Sequence, residues 1–188
     1  MGDRITEFAA VVVQGGRVVE QWSSLVHPQR SIPPFIVRLT GITDRMVARA
    51  PHFAEIAPRV AALVNRGTFV AHNAPFDWNF VNTELTRAGL PPDDNERLCT
   101  VRLARRLLKE LPRRSLDFVC QHYGIAISGR HRALGDAAAT AQVLIRFVDE
   151  LGRLGVDSWG DLAHYLARRT NRRKRSALPR SVDDTFAA

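Results

Sequence analysis

Apolar positions change their period several times along the chain, and each change marks an element. Residues 5–13 are a run of Val and small apolar side chains, Gln14-Gly15-Gly16 interrupts it, and residues 17–26 resume in strand-like composition. Two such runs around a Gly-Gly step predict a β-hairpin. Residues 28–51 are broken by Pro28, Pro33, Pro34, Gly41 and Pro51, which limits them to short helical turns. Phe53, Ile56, Ala57, Val60, Ala61 and Val64 then recur at helical spacing and predict a helix over 53–65. Thr68 to Ala71 reads as a brief buried strand, followed by a helix that starts near Pro75 and stops at Gly89, with Pro inside the start and Gly past the end. Further helices are predicted over 101–111, 115–123, 136–151 and 158–169. From Thr170 the chain runs TNRRKRSALPRSVDDTFAA without apolar periodicity. The order predicts an α/β domain over residues 1–169, built on a mixed sheet flanked by helices, with a basic flexible tail over 170–188.

Composition fits that division. The 188 residues are 45% hydrophobic and 24% charged, with 12 Gly and 10 Pro, which suits one globular domain and a short appendage. No apolar run approaches the roughly 18 residues of a membrane-spanning helix, so no membrane partner is expected. Charge changes the picture more. Residues 1–100 carry 10 basic and 10 acidic side chains, while residues 101–188 carry 17 and 9, so the whole net charge of +8 lies in the second half. A basic half of this kind suits a polyanion, because phosphates that meet it release condensed counterions. A solubilising surface accounts for the same charge without any partner. Cys99 and Cys120 lie 21 positions apart and form no CxxC, which argues against a zinc site or disulfide framework. With Asp3 and Glu7 inside the N-terminal apolar stretch, a signal peptide is not expected, and the protein is assigned to the cytoplasm.

Candidate chemistry clusters in two places. AHNAPFDWNF sets His72, Asn73 and Asp77 at a strand-to-helix junction, where open α/β sheets bind ligands. GRHRALGDAAATAQVL carries His131 and Asp136 five positions apart, which is roughly 140° around a continuous helix. If both point into one site, His131 belongs to a loop and Asp136 to the helix after it. Each aspartate has a plainer role available, as a first-turn carboxylate that stabilises its helix by about 0.3–1 kcal/mol.

Taken together and in order, HNAPFD and HRALGDA resemble the second and third motifs of the DEDDh 3′→5′ exonucleases. GITDRMVARAPHF resembles the segment between the first two motifs in the proofreading epsilon subunit of bacterial DNA polymerase III. The similarity runs from about Asp3 to Leu151. It implies a ribonuclease H-like fold and hydrolysis of phosphodiester bonds at DNA 3′ ends, single-stranded or frayed. It also implies two divalent metal ions, Mg²⁺ or Mn²⁺, and a DNA polymerase as partner. Asp77 and Asp136 are implied as metal residues and His131 as the catalytic general base, a role that suits an imidazole with an ordinary pKa of about 6.5. No substrate-binding residue is assigned.

The chain departs from the family pattern in two ways. The DxE pair of the family's first strand has no counterpart before Asp3-Arg4-Ile5-Thr6-Glu7, so two of four metal carboxylates are accounted for. Glu7 matches a second-strand glutamate rather than DxE. The absent strand would lie between the hairpin and Thr68–Ala71, and without it two strand edges should stand unpaired around an open core. A start placed too far downstream is the expected explanation. Cys99 stands where the family often has an aspartate before the residue matched by Thr100. Two other functions remain open: a catalytically inactive exonuclease-like module that binds DNA or a polymerase, and a nuclease that trims RNA 3′ ends.

Overall fold

The computed structural model describes residues 3–92 and 94–167. The hairpin forms as the pattern predicts: β1 (Glu7–Gln14) pairs antiparallel with β2 (Arg17–Leu25), from Glu7 opposite Leu25 to Gln14 opposite Arg17. Gly15 and Gly16 make the turn at φ of 58° and 73°. Positive φ at both central residues matches the twist of the flanking strands and is cheapest for glycine.

The proline-rich stretch gives two short helices, α1 (Pro34–Thr40) and α2 (Asp44–Val47). Then come α3 (Phe53–Val64), β3 (Phe69–Ala71) and α4 (Ala74–Arg87). The sequence pattern gives no sign of β4 (Arg97–Cys99), a three-residue strand parallel to β3 with Val70 opposite Leu98. Four helices complete the order: α5 (Thr100–Leu107), α6 (Leu116–Tyr123), α7 (Ala133–Arg153) and α8 (Trp159–Ala167). The basic tail expected over 170–188 lies outside the described residues. Among those described, no helix is long and apolar enough to cross a membrane.

The strands form two separate two-stranded sheets, β1–β2 and β3–β4. Between them lies a cavity of about 1580 Å³ lined by every residue of β1 and β3 and by Thr140, Leu144 and Val148 of α7. Among the described residues, β1 pairs only with β2 and β3 only with β4.

Two apolar clusters stand on either side. Phe8 and Val26 of the hairpin region pack with Phe53, Ala57 and Val60 of α3 and with Val81 and Leu85 of α4. The second cluster joins Leu103 and Ala104 of α5, Val119 and Cys120 of α6, and Ala139, Val143, Phe147 and Leu151 of α7. The four α7 residues recur every four positions, so they form one stripe. Val143 and Phe147 are fully buried, each worth about 1.5–3 kcal/mol of apolar transfer. On the hairpin side, Arg4 Nε donates to Oε1 of the buried Glu84 on α4 at 2.5 Å, tying the segment before β1 to that helix.

Candidate active site

Two helix N-termini meet at the cavity. β3 ends at Ala71, and α4 begins three residues later through Asn73, which adopts a left-handed conformation at φ 83°. This reversal after a short strand makes Asp77 the fourth residue of α4 and a lining residue of the cavity. Asp136 is likewise the fourth residue of α7 and lines the same cavity. Both aspartates therefore sit in first turns, as the sequence predicts, and both face one space.

Their electrostatics tie them together. Burial pushes the Asp77 carboxyl up to about 6, its own backbone N–H opposes that rise, and the charge of Asp136 adds to it. A carboxylate whose ionisation is disfavoured by burial and by a second carboxylate's charge suits a hard cation, which prefers carboxylate oxygen and relieves the repulsion. The residues present thus fit part of a divalent-metal shell. Among the described residues, no group of three or more His, Cys, Asp or Glu is placed to hold an ion.

His131 lies on the loop before α7, exposed and left-handed at φ 66°, as its spacing from Asp136 requires. Its Nδ1 lies 3.2 Å from Arg130 Nη1. The structure brings Asp77 and Asp136 to the cavity and leaves His131 beside it, linked to Asp136 through Arg130.

Glycine holds that loop down. A Cβ on Gly135 would lie 1.9 Å from the Ser128 carbonyl oxygen and 2.6 Å from that of Gly129, so only glycine lets the 128–131 loop lie against the first turn of α7. Glu7 completes the junction. Its Oε2 accepts from the Ala133 backbone N–H at 2.7 Å and its Oε1 from Arg132 Nη2 at 2.7 Å, so β1 caps α7 through a side chain. This contact engages both carboxylate oxygens of Glu7, which also lines the cavity.

His72, the other histidine at the junction, is structural. Its Nε2–H donates to the Arg114 carbonyl at 2.8 Å, and its Nδ1 accepts from Thr100 Oγ1 at 2.9 Å. Burial lowers its pKa and keeps the ring neutral. It therefore pins the end of β3 to the start of α5. Phe76, next to Asp77, is 61% exposed, lines the cavity and packs its ring 5.1 Å from Phe80. The HNAPFD motif contained Phe76, but only the structure distinguishes it from a core aromatic. Arg130 and Gly135 carried no signal of their own beyond adjacency to His131 and Asp136.

The chain belongs to the Exonuclease family (RNase T), which matches residues 1–144. The family resemblance read from HNAPFD and HRALGDA therefore holds. A Mycobacterium tuberculosis protein named as a bifunctional exonuclease/endonuclease is 42% identical over 166 residues, covering 87% of this chain and 26% of that protein. A PolC-type DNA polymerase III of Staphylococcus haemolyticus is 33% identical over 165 residues, covering 88% of this chain and 12% of the polymerase. This chain thus spans about a quarter or less of these relatives. Exonuclease X, solved with 5′-overhanging duplex DNA, superposes with a TM-score of 0.68 at 28% identity, covering 88% of this chain and 96% of the exonuclease. The nuclease domain of the DEDDh-family member 3′hExo, bound to rAMP, shares the fold with a TM-score of 0.65 at 18% identity, covering 78% and 82% of the two chains.

Proposed function

We propose that this domain is a metal-dependent 3′→5′ exonuclease acting on single-stranded or frayed DNA 3′ ends, of the kind attached to replicative polymerases. The observation that carries this is the meeting of Asp77 and Asp136 at one cavity, from the fourth positions of two helices. Family membership and the PolC-type relatives support the reaction class and the polymerase partner.

In this reading Asp77 and Asp136 hold divalent cations, Mg²⁺ or Mn²⁺. Such ions, when bound as a pair, stabilise the attacking and leaving oxygens of an in-line displacement at phosphorus. His131 takes the proton of the attacking water, which its loop position beside the cavity permits. Phe76 offers a ring face to the terminal base, a contact that every base can make. The basic second half of the chain draws the phosphate backbone in. Asp77 and Asp136 supply two of the four metal carboxylates that the family resemblance implies. Cys99 and Cys120, both free and buried, suit a reducing cytoplasm.

One observation favours the inactive binding module instead: the described residues assemble no three-ligand cluster. The test compares the 188-residue chain with one extended upstream through a DxE strand, on 3′-labelled single-stranded DNA, a 3′-mismatched primer and short RNA. The extended chain should release nucleotides in Mg²⁺ or Mn²⁺ and stop in EDTA, while the 188-residue chain should be inactive. Metal-independent release by the extended chain overturns the metal mechanism. No release from any substrate favours the binding module, and a preference for RNA reassigns the substrate.

A further inference from the structure

Arg130 ends the loop before His131 and spreads one guanidinium over three side chains. Its Nε and Nη2 donate to Asp117 Oδ1 and Oδ2 at 2.6 and 3.1 Å, the two-pronged geometry that arginine makes with a carboxylate. Its remaining nitrogen, Nη1, donates to Asp136 Oδ1 and Oδ2 at 2.9 and 3.0 Å. The same Nη1 lies 3.2 Å from His131 Nδ1. Arginine has no acceptor, so Nδ1 must receive this contact and the neutral ring carries its hydrogen on Nε2.

One side chain therefore occupies both the carboxylate of Asp136 and the lone pair of His131. Arg130 also lines the cavity, and it and Asp136 are 31% and 32% exposed, so water and ions can reach the pair. The fork with Asp117 would by itself satisfy an ordinary surface arginine; the reach of Nη1 to Asp136 goes beyond it.

We propose that Arg130 is a built-in competitor for the metal position on Asp136: it holds Asp136 and His131 together before an ion arrives and must be displaced from Asp136 when one binds. The guanidinium need not leave the domain to do so. A turn about its Asp117 fork lifts Nη1 off Asp136 and frees Nδ1 of His131 in the same motion. An ion approaching Asp136 thus works against both a local positive charge and an existing ion pair. This inference rests on the reading of Asp136 as a metal residue, and the test separates the two.

Mn²⁺ binding to the full chain is measured by isothermal titration calorimetry for the wild type, Arg130→Gln, Arg130→Lys and Asp136→Asn, with thermal melts in EDTA to confirm folding. Arg130→Gln should bind Mn²⁺ roughly threefold to tenfold more tightly, the scale of a part-exposed charge-assisted pair. Arg130→Lys, too short to span both aspartates, should fall between Arg130→Gln and the wild type, and Asp136→Asn should lose binding. If Asp136→Asn loses binding and Arg130→Gln binds no more tightly than the wild type, the competitor role is wrong and the metal reading stands. If Asp136→Asn binds like the wild type, the metal reading falls and takes the competitor with it.

A second measurement needs no variant. In ¹⁵N NMR of the wild type, Mg²⁺ should shift the Arg130 guanidinium and His131 Nδ1 signals with one shared midpoint. Binding of Mg²⁺ that leaves both signals in place overturns the proposal.

Discussion

Asp77 and Asp136 occupy the same position in their helices, and the segments that lead into those helices make them chemically different. α4 is entered abruptly from β3 through Asn73, with no cation placed on Asp77 among the described residues, and burial pushes its carboxyl up to about 6. α7 is entered through the loop that carries Arg130, whose guanidinium meets both oxygens of Asp136. Helix geometry sets where a carboxylate points, and the preceding loop sets which groups compete for it. A cation binding between the two meets a desolvated carboxylate at one and an arginine at the other.

The largest expected effects come from removing either member of the pair. In a chain extended through a DxE strand, Asp136→Asn and Asp77→Asn should each reduce nucleotide release to background. Their effects on metal-free stability should run in opposite directions. Asp136→Asn takes away one of the two carboxylates that Arg130 grips, leaving only its fork with Asp117, and should lower the melting temperature in EDTA. Asp77→Asn removes a desolvated charge and should raise it at neutral pH. Melts that move the same way would show that the two sites do not differ as described.

Next in size is His131→Ala, expected to lower kcat about 10²–10⁴-fold, as loss of a general base typically does. Mn²⁺ affinity should be nearly unchanged, since the variant leaves both carboxylates in place. Full activity from pH 6 to 9 would remove His131 from the mechanism.

Gly135→Ala tests the loop side of the comparison. An added methyl would have to displace backbone oxygens at Ser128 and Gly129, which cannot swing aside like a side-chain tip. Overpacking of this kind costs about 1–3 kcal/mol, which for a chain of this size lowers the melting temperature by roughly 2–4 °C per kcal/mol. At the α4 junction, Asn73→Gly should change stability little, because glycine accepts the left-handed conformation there. Equal losses at the two positions would mean that the 128–131 loop is not held by close approach.

Most of this architecture was legible in advance, and the exceptions have physical reasons. The hairpin, α3 and α4 announced themselves by Gly-Gly, by an apolar stripe and by Pro and Gly at the helix ends. α7 begins at Ala133 rather than at Asp136, because Glu7, 126 residues away in sequence, caps it. β4 escaped because three residues, Arg97, Leu98 and Cys99, are too few to show a period, and their pairing with β3 is set by tertiary packing. The first-turn place of Asp77 followed from the helix start at Pro75, and the loop place of His131 from its five-residue distance to Asp136. The grip of Arg130 on Asp136 did not, because a guanidinium's partner depends on where its loop is folded.

The smallest effect discriminates the two carboxylates most directly. Asp77 has an ordinary value of 3.8 and a folded value of about 6. Between those limits the unfolded chain gives up this proton first, so the folded chain holds more protons and its stability falls as pH rises. Above pH 6 Asp77 is ionised in both states and the full penalty is present, on the order of 1–3 kcal/mol after allowing for its partial exposure. Urea unfolding in EDTA from pH 4 to 8 should therefore show Asp77→Asn gaining on the wild type as pH rises, with the gap levelling off above pH 6. Mg²⁺ should shrink that gap by stabilising the ionised wild-type carboxylate, because the amide of the variant offers no negative charge for the ion. Titrating groups that do not act on Asp77 are common to both chains and cancel in the difference, whereas the charge of Asp136 acts on Asp77 itself and is part of what is read. Parallel stability curves across the range would mean that Asp77 is solvated like an ordinary surface aspartate, and the contrast with Asp136 would then rest on Arg130 alone.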